Sequence, residues 1–437
     1  MDQTLAGVLG ILIMIVLFML RLPVAHAMML VGFVGFSLLT SWTGGLNLVS
    51  RSIYSSFASL DLCTIPLFIL MGQLAFNTGI SRKLYDTAYR FLGHIRGGLA
   101  MATVAACTAF GTICGSSPAT AATMATVGLP EMKRFGYGDE LATGCVASAG
   151  GLGMIMPPSV VLLVYGVLTG QSIGALFVAG ILPAILLTML FIATIALLCA
   201  RNPKLGPAGE SFTWGQRIKS LLGLVDTLLI FGSVVGGLFF GLFTPTEAAA
   251  VGVIAVTALS LIKRQLTWEG FKKSLNETLR TSCMVMFLIA GAVVFGKFLA
   301  VTRIPFDIAN WVSGFDLPPA AIMAVIVAIY FLGGCFMDSL AMIMLTIPVF
   351  YPVVTNLGYD PIWFGVIAVM VTEMGVLTPP VGINVYVVYG IAQRVLPGVT
   401  LERVFKGSMP FVAAVVVCIA LLLAFPIIIT FLPGLMF

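Results

Sequence analysis

The sequence predicts an all-α polytopic membrane protein built from two inverted repeats, each with a re-entrant helical hairpin and a broken helix. Three observations support this. The 437 residues are 60% hydrophobic and only 9% charged, with a mean hydropathy of +1.12, far beyond the roughly half-apolar usage of soluble domains. The stretch Gly111–Ser159 has a weaker, gapless copy 222 positions later. Gly111 falls on Gly333, Ser117 on Ser339, Pro130 on Pro352, Gly136-Tyr137 on Gly358-Tyr359, Gly153 on Gly375, and Pro157-Pro158 on Pro379-Pro380. The basic residues, finally, crowd to one side of the hydrophobic pattern.

Leu5–Leu20 and Val24–Thr40 form a first pair of spans joined by Arg21-Leu22-Pro23. Ala25-His26-Ala27 imitates a signal-peptide cleavage site, but the leading segment carries Asp2 and no positive charge, so a retained span is expected. Ser41–Asp61 is mixed and is expected along an interface, Cys63–Phe76 is a third span, and basic Ser81–Arg96 suits a membrane surface. Residues 99–132 are apolar but interrupted by Gly115-Ser116-Ser117-Pro118. The two arms of about 15 residues are too short to cross singly, which reads as a hairpin. Residues 139–170 are broken at Gly150-Gly151-Leu152-Gly153 and Pro157-Pro158, a crossing made of two half-helices. Ile173–Ala200, Leu221–Leu242 and Thr246–Ile262 are further spans, Lys263–Arg280 is a second basic surface segment, and Cys283–Val301 spans again. The second copy follows as a hairpin over 320–351 broken near 333–339 and a crossing over 361–393 broken at 375–380; Pro410–Phe431 is the last span. The resulting division is scaffold spans over 1–62, a first repeat over 63–170, scaffold spans with a surface arm over 171–282, a second repeat over 283–407, and a C-terminal span over 408–437.

With the N-terminus outside and each hairpin returning to its own side, all but Arg51, Arg303 and Lys297 of the 22 lysines and arginines lie inside, as the positive-inside rule demands. The first hairpin then enters from the cytoplasm beside Arg96 and Lys133-Arg134. The second enters from the opposite face beside Asp316 and Asp360. The expected placement is a bacterial inner membrane with both termini periplasmic. Inverted repeats with broken helices point to a secondary transporter, although a channel also tolerates re-entrant loops. The eight cysteines lie in or beside apolar runs without a C-x-x-C pair, and the net charge of +5 carries no nucleic-acid reading. An enzyme is disfavoured: there are two histidines, no H-E-x-x-H and no D-D-x-x-D.

In hydrocarbon, unwound backbone survives only inside protein or beside a watery cavity, so the four breaks at 115–118, 150–158, 334–339 and 375–380 are expected to converge on one polar site. Half-helix N-termini there offer N–H groups to an anion and C-terminal ends offer carbonyls to a cation. Hard cations favour oxygen ligands. The expected sodium sites are Thr112, Ser116, Ser117, Gly153, Met156 and Pro158 in the first copy, and Gly334, Asp338, Gly375, Thr378 and Val381 in the second. Ser117, Thr120, Ser339 and Asn384 are the candidate substrate contacts. No cofactor is expected beyond sodium as coupling ion, and no transition metal. Each residue has a plainer explanation, since small hydroxyls often just pack between membrane helices and Gly-x-Gly or Pro-Pro serve as kinks; four breaks at two matched positions argue for function. Asp338 and Glu373 are the only carboxylates deep in apolar sequence, where such groups are costly. Asp338 is placed as an ion or gating group, while Glu373 is either functional or a structural acceptor.

GSSPATAAT, the PPS closing GLGMIMPPS, GCFMDSLAMIMLTIPVFYPV and TPPVGINVYVV resemble the large membrane subunit of tripartite ATP-independent periplasmic (TRAP) transporters over nearly the whole chain. The resemblance implies an elevator-type fold related to divalent-anion/sodium symporters, with a fixed scaffold and a mobile transport domain. It implies sodium-driven import of an organic acid such as a C4-dicarboxylate or sialic acid. It also implies two partners, a small four-helix membrane subunit and a periplasmic substrate-binding protein. Carried over by motif, one ion site uses Ser116-Ser117 with Gly153–Pro158, the other Gly334–Asp338 with Gly375–Val381. Two positions depart from the pattern: Ser117 stands where glycine is common and Thr120 where an acid is frequent. No fused small subunit is expected, and a self-sufficient symporter is the alternative.

Overall fold

The computed structural model describes residues 3–20, 22–304, 307 and 318–436; Asp2, Arg21 and Asp316 lie outside them. Every regular element among the described residues is a helix, six of them long and apolar enough to cross a membrane singly, or up to eight if each of two bent pairs counts as one span. The chain is an all-α multi-pass membrane protein with inverted repeats, two hairpins and two broken helices.

The first hairpin has arms Gly98–Cys114 and Ser117–Arg134, the second Pro319–Gly334 and Ser339–Asn356. The first broken helix runs Asp139–Gly150, Leu152–Ile155 and Val160–Thr169; the second runs Pro361–Gly375 and Ile383–Val395. These elements interlock across the repeats. Ile383–Val395 packs on Ser117–Arg134, and Val160–Thr169 packs on Ser339–Asn356. The two ends of the molecule show the inversion directly. At the root of the first hairpin the Lys133 ammonium donates to the Val395 carbonyl (2.5 Å), where the second broken helix ends. Near the root of the second, Gln171 Nε2, just past the first broken helix, donates to the Tyr351 hydroxyl (2.9 Å). Each half finishes on the other half's hairpin.

The basic end is coherent. Arg403 pairs with Asp139 (3.9 Å) and Lys406 with Glu140 (3.6 Å), while Gly97, Gly138 and Gly209 tie the linker after Arg201 to the first hairpin's root through backbone bonds to Gly206, Leu205 and Gly93. Buried Asp226 receives both Lys263 and Lys83 (3.7 Å for Lys83), joining the helix Ile80–Leu92 to the start of Val225–Phe231. A buried carboxylate left unpaired there would cost about 3–5 kcal/mol. Helix packing relies on small residues, as expected where lipid gives no hydrophobic drive: Gly144 on Asp139–Gly150 meets the Gly407 backbone on Leu401–Ala424 so closely that a Cβ would overlap it.

Three expectations change. The expected surface segment Lys263–Arg280 and span Cys283–Val301 are one 35-residue helix, Trp268–Thr302. No proline and no glycine stands between Gly270 and Gly291, and Lys, Glu, Leu and Arg all favour helix, so only Thr267, accepting from Gly270 N (3.1 Å), sets its start. The segment expected along an interface contains the helix Trp42–Ala58, bent by 59° from Asp61–Asn77. The last span starts earlier, at Leu401, capped by Thr400, and ends at Ala424 before Pro426, because the residue preceding a proline avoids the helical region.

Cysteines placed singly at Lys133 and Asp360 in a cysteine-free background are expected to react with impermeant reagents from opposite sides of the membrane. Labelling of both from one side would refute the inversion.

Candidate binding site at the hairpin tips

In the first tip the arm Gly98–Cys114 stops at Gly115, whose φ of +63° is left-handed. Glycine is needed twice over: only it adopts that φ freely, and the Pro158 carbonyl occupies the place a Cβ would take. Ser116 is extended (φ −136°, ψ 124°), and Ser117 opens the returning arm. The broken helix approaches through its own glycines. A methyl built on Gly111 would sit 3.0 Å from the Gly153 Cα, and one on Gly153 would strike the Thr120 hydroxyl and lie 3.0 Å from the Ser116 carbonyl. The tip thus gathers the carbonyls of Ser116 and Pro158, the Thr120 hydroxyl and the Gly153 backbone. Met156 and Pro158 are buried with them. Thr112 is less available, because its hydroxyl donates to its own helix at Ala109 O (2.7 Å).

The second tip repeats the arrangement. A methyl on Gly334 would sit 3.3 Å from the Gly375 Cα, and one on Gly375 would overlap the Gly334 backbone. The Thr378 hydroxyl lies 3.1 Å from both the Met374 and Gly375 carbonyls and 3.0 Å from Cys335 Sγ, and Val381 N donates to the Cys335 carbonyl (3.2 Å). Cys335 is thus central to this tip although the sequence does not single it out; a contribution made by a carbonyl leaves no side-chain signature. Asp338 is exposed at the tip, and its Oδ1 accepts from Ala341 N (2.9 Å), capping Ser339–Asn356. Both Pro-Pro bonds are cis, but Pro157 and Pro158 are buried whereas Pro379 and Pro380 are exposed.

Between the tips, Asn384 Nδ2 donates to the Ser117 Oγ (2.7 Å) and to the Ala147 carbonyl (3.2 Å). This bond joins the starts of two helices, Ser117–Arg134 and Ile383–Val395, and neither start has a side-chain cap. Of the other N-termini at the breaks, Val160–Thr169 is capped by Ser159 and Ser339–Asn356 by Asp338, while the single turn Leu152–Ile155 has no side-chain cap. Uncapped first-turn N–H groups and the positive dipole end are what an anion requires. Of the four candidate substrate contacts, Ser117 and Asn384 therefore meet directly. Thr120 lies against Gly153, and Ser339 belongs to the second tip; among the described residues the hydroxyls of both are buried without a hydrogen-bond partner. Glu373 is wholly buried, its carboxylate end lies on Gly151, and among the described residues neither oxygen has a partner.

The family described as tripartite ATP-independent periplasmic transporter, DctM component, matches residues 11–428. The chain belongs to this family. The C4-dicarboxylate TRAP transporter large permease protein DctM of Pseudomonas aeruginosa is 36% identical over 87% of this chain and 86% of its own length. The sialic acid TRAP transporter large permease protein SiaM of Vibrio cholerae is 32% identical over 93% of each chain. An ectoine/5-hydroxyectoine TRAP large permease, UehC of Ruegeria pomeroyi, is 28% identical over 98% of each. Among solved structures, the Alcanivorax borkumensis YdaH transporter superposes with a TM-score of 0.65 at 14% identity, over 89% of this chain and 90% of that one. The likeness to YdaH is one of fold. As a TRAP large permease, the chain belongs to a family of transport proteins rather than of catalysts.

Proposed function

We propose that this TRAP permease imports an organic acid, in symport with sodium, across the bacterial inner membrane with both termini periplasmic. The carrying observation is the Asn384–Ser117 bond, which brings two uncapped helix N-termini to one buried point. A carboxylate bound there takes N–H groups from both repeats. The relatives support the cargo class only broadly, being named for C4-dicarboxylate, sialic acid, ectoine and isethionate.

Sodium would occupy the two tips. The first site draws on Ser116, Ser117, Gly153, Met156 and Pro158, with Thr112 only through its backbone; the second on Gly334, Asp338, Gly375, Thr378 and Val381. Ser117 and Asn384 hold the substrate, and Thr120 and Ser339 line its approach from either repeat. The tips carry helix C-terminal carbonyls, which suit a cation, a few residues from N-termini that suit the anion. Binding of one charge then favours the other.

Movement is assigned to an elevator. The hairpins and broken helices pack with Ile173–Arg201 and Leu401–Ala424, while Trp268–Thr302 packs chiefly with Val24–Leu39 and Thr64–Asn77, and Pro245–Ile262 with Thr64–Asn77. The first group would carry the site past the second, with Ile80–Leu92 as the surface arm. In terms of the chain, scaffold spans lie in 1–62 and 171–282, the repeats in 63–170 and 283–407, and a last span in 408–437; in this reading Ile173–Arg201 and Leu401–Ala424 would travel with the hairpins and broken helices, while Thr64–Asn77 and Trp268–Thr302 would stay with the scaffold. A small four-helix membrane subunit is the partner of the scaffold, and a periplasmic binding protein delivers the acid.

In proteoliposomes holding the permease, its small subunit and the binding protein, the acid is expected to accumulate under an inward sodium gradient. It is expected not to accumulate with choline in place of sodium, or when the binding protein is left out. Accumulation without sodium would refute the coupling, and accumulation without the binding protein would leave a self-sufficient symporter.

A further inference from the structure

The buried acid Glu373 takes no part in either tip, yet it occupies a special place in the repeat. The 222-position shift that lays Gly153 on Gly375 also lays Gly151 on Glu373. In the fold these two equivalent positions meet: a Cβ on Gly151 would land on the Glu373 carboxylate. Residues related by an internal pseudo-twofold touch each other only near its axis, so the Glu373–Gly151 contact lies close to that axis. One repeat supplies the acid and the other supplies the room for it.

Glu373 is 0% exposed, and among the described residues neither Oε1 nor Oε2 has a hydrogen-bond partner or an ion pair. Two more unpartnered oxygens are associated with the end of Asp139–Gly150, one on that helix and one anchored to it from Ile383–Val395. Ser148, one turn before Gly151, has a buried Oγ without a partner. Asn384 is anchored to the carbonyl of Ala147, the residue before Ser148; it spends its Nδ2 there and on Ser117, and its Oδ1 is buried without a donor. Positions 147, 148 and 151 are neighbours on one helix surface. The Glu373 carboxylate at Gly151, the Ser148 hydroxyl and the Asn384 amide anchored at Ala147 thus bring four unpartnered oxygens to one short stretch, 147–151. Buried oxygens are ordinarily paired, and an isolated carboxylate in such a place is among the costliest groups a membrane protein can hold. All four can accept, and a cation held among them would satisfy them together.

We propose that Glu373, Ser148 and the Asn384 Oδ1 form a third monovalent-cation site, close to the pseudo-twofold axis, distinct from the two tip sites. It rests on the sodium-coupled reading and deepens it. A single ion here binds both repeats at once, and through Asn384 it shares a side chain with the proposed substrate point.

The test is equilibrium binding of radioactive sodium to the full-length chain in lipid nanodiscs, with choline balancing ionic strength. Glu373→Gln is expected to lower the plateau by one ion per protein while leaving the other ions bound. Ser148→Ala, which keeps the carboxylate, is expected to retain the plateau and to raise the sodium concentration for half-filling of one ion several-fold. It serves also if the glutamine variant fails to fold. An unchanged plateau in folded Glu373→Gln, or a Ser148→Ala curve that overlays the wild type, overturns the third site and leaves the tip sites standing. A wild-type chain that binds no sodium overturns the coupling itself, so the two failures are distinguishable.

Discussion

Replacing Gly375 with valine is expected to raise the sodium concentration for half-maximal uptake by about 5–150-fold while leaving the protein folded in the membrane. A Cβ there overlaps the Gly334 backbone, so the two backbones must part before any side chain fits. Overpacking of this kind typically costs about 1–3 kcal/mol, and a coupling change of that size corresponds to the stated range in affinity. The effect should fall on sodium first, because the parted elements are the ones whose carbonyls would hold the ion. Gly153→Val, its counterpart, meets Thr120 and the Ser116 carbonyl and should act likewise on the other site. Sodium-activation curves in proteoliposomes, normalised to the amount of monodisperse protein, measure both. A curve that does not move would remove Gly375 from the ion site.

The second large effect is expected from Asn384→Ala, read on the substrate instead of the ion. The alanine leaves the Ser117 hydroxyl and the Ala147 carbonyl without their donor, and a buried polar group deprived of its partner costs about 1–3 kcal/mol. If that loss falls on the bound state, the acid concentration for half-maximal uptake rises about tenfold for each 1.4 kcal/mol. Ser117→Ala removes one acceptor of the same donor and should give a smaller shift in the same direction, with less than additive effect in the double variant, since the residues share one bond. Unchanged half-saturation in both single variants would move the substrate point away from this junction.

The places where the chain breaks were legible because glycine and proline are the residues that break helices, and a break in lipid needs a reason. Gly115, Gly153, Gly334 and Gly375 announce themselves in an otherwise apolar run. The inversion was legible because lysine and arginine record which side a loop stayed on, and Lys133 does sit at the end opposite Tyr351. Less visible was the long helix Trp268–Thr302. A basic stretch followed by an apolar one suggests two elements when composition alone is weighed, but backbone continuity depends on breakers and none stands at the junction, between Gly270 and Gly291. The partnership of Asn384 with Ser117, 267 residues apart, had no local signature at all. Nor had the Cys335 carbonyl, since every residue owns one. The meeting of Gly151 and Glu373 needed both the repeat and the fold: the alignment pairs them, and only the folding of one half onto the other turns that pairing into a contact.

The crossed ends described above, Lys133 on Val395 and Gln171 near Tyr351, also dictate how the molecule must be made. Lys133 leaves the ribosome 262 residues before its acceptor, an interval of roughly 13–50 s at ordinary synthesis rates of about 5–20 residues per second. For that time the first hairpin lodges in the bilayer with its serines and threonines lacking the helix that will cover them, and contacts this distant in sequence are slow to form. The packing of Ser117–Arg134 is thus completed only by the arrival of Ile383–Val395. The repeat gives this protein two similar halves, but each half is finished only by the other.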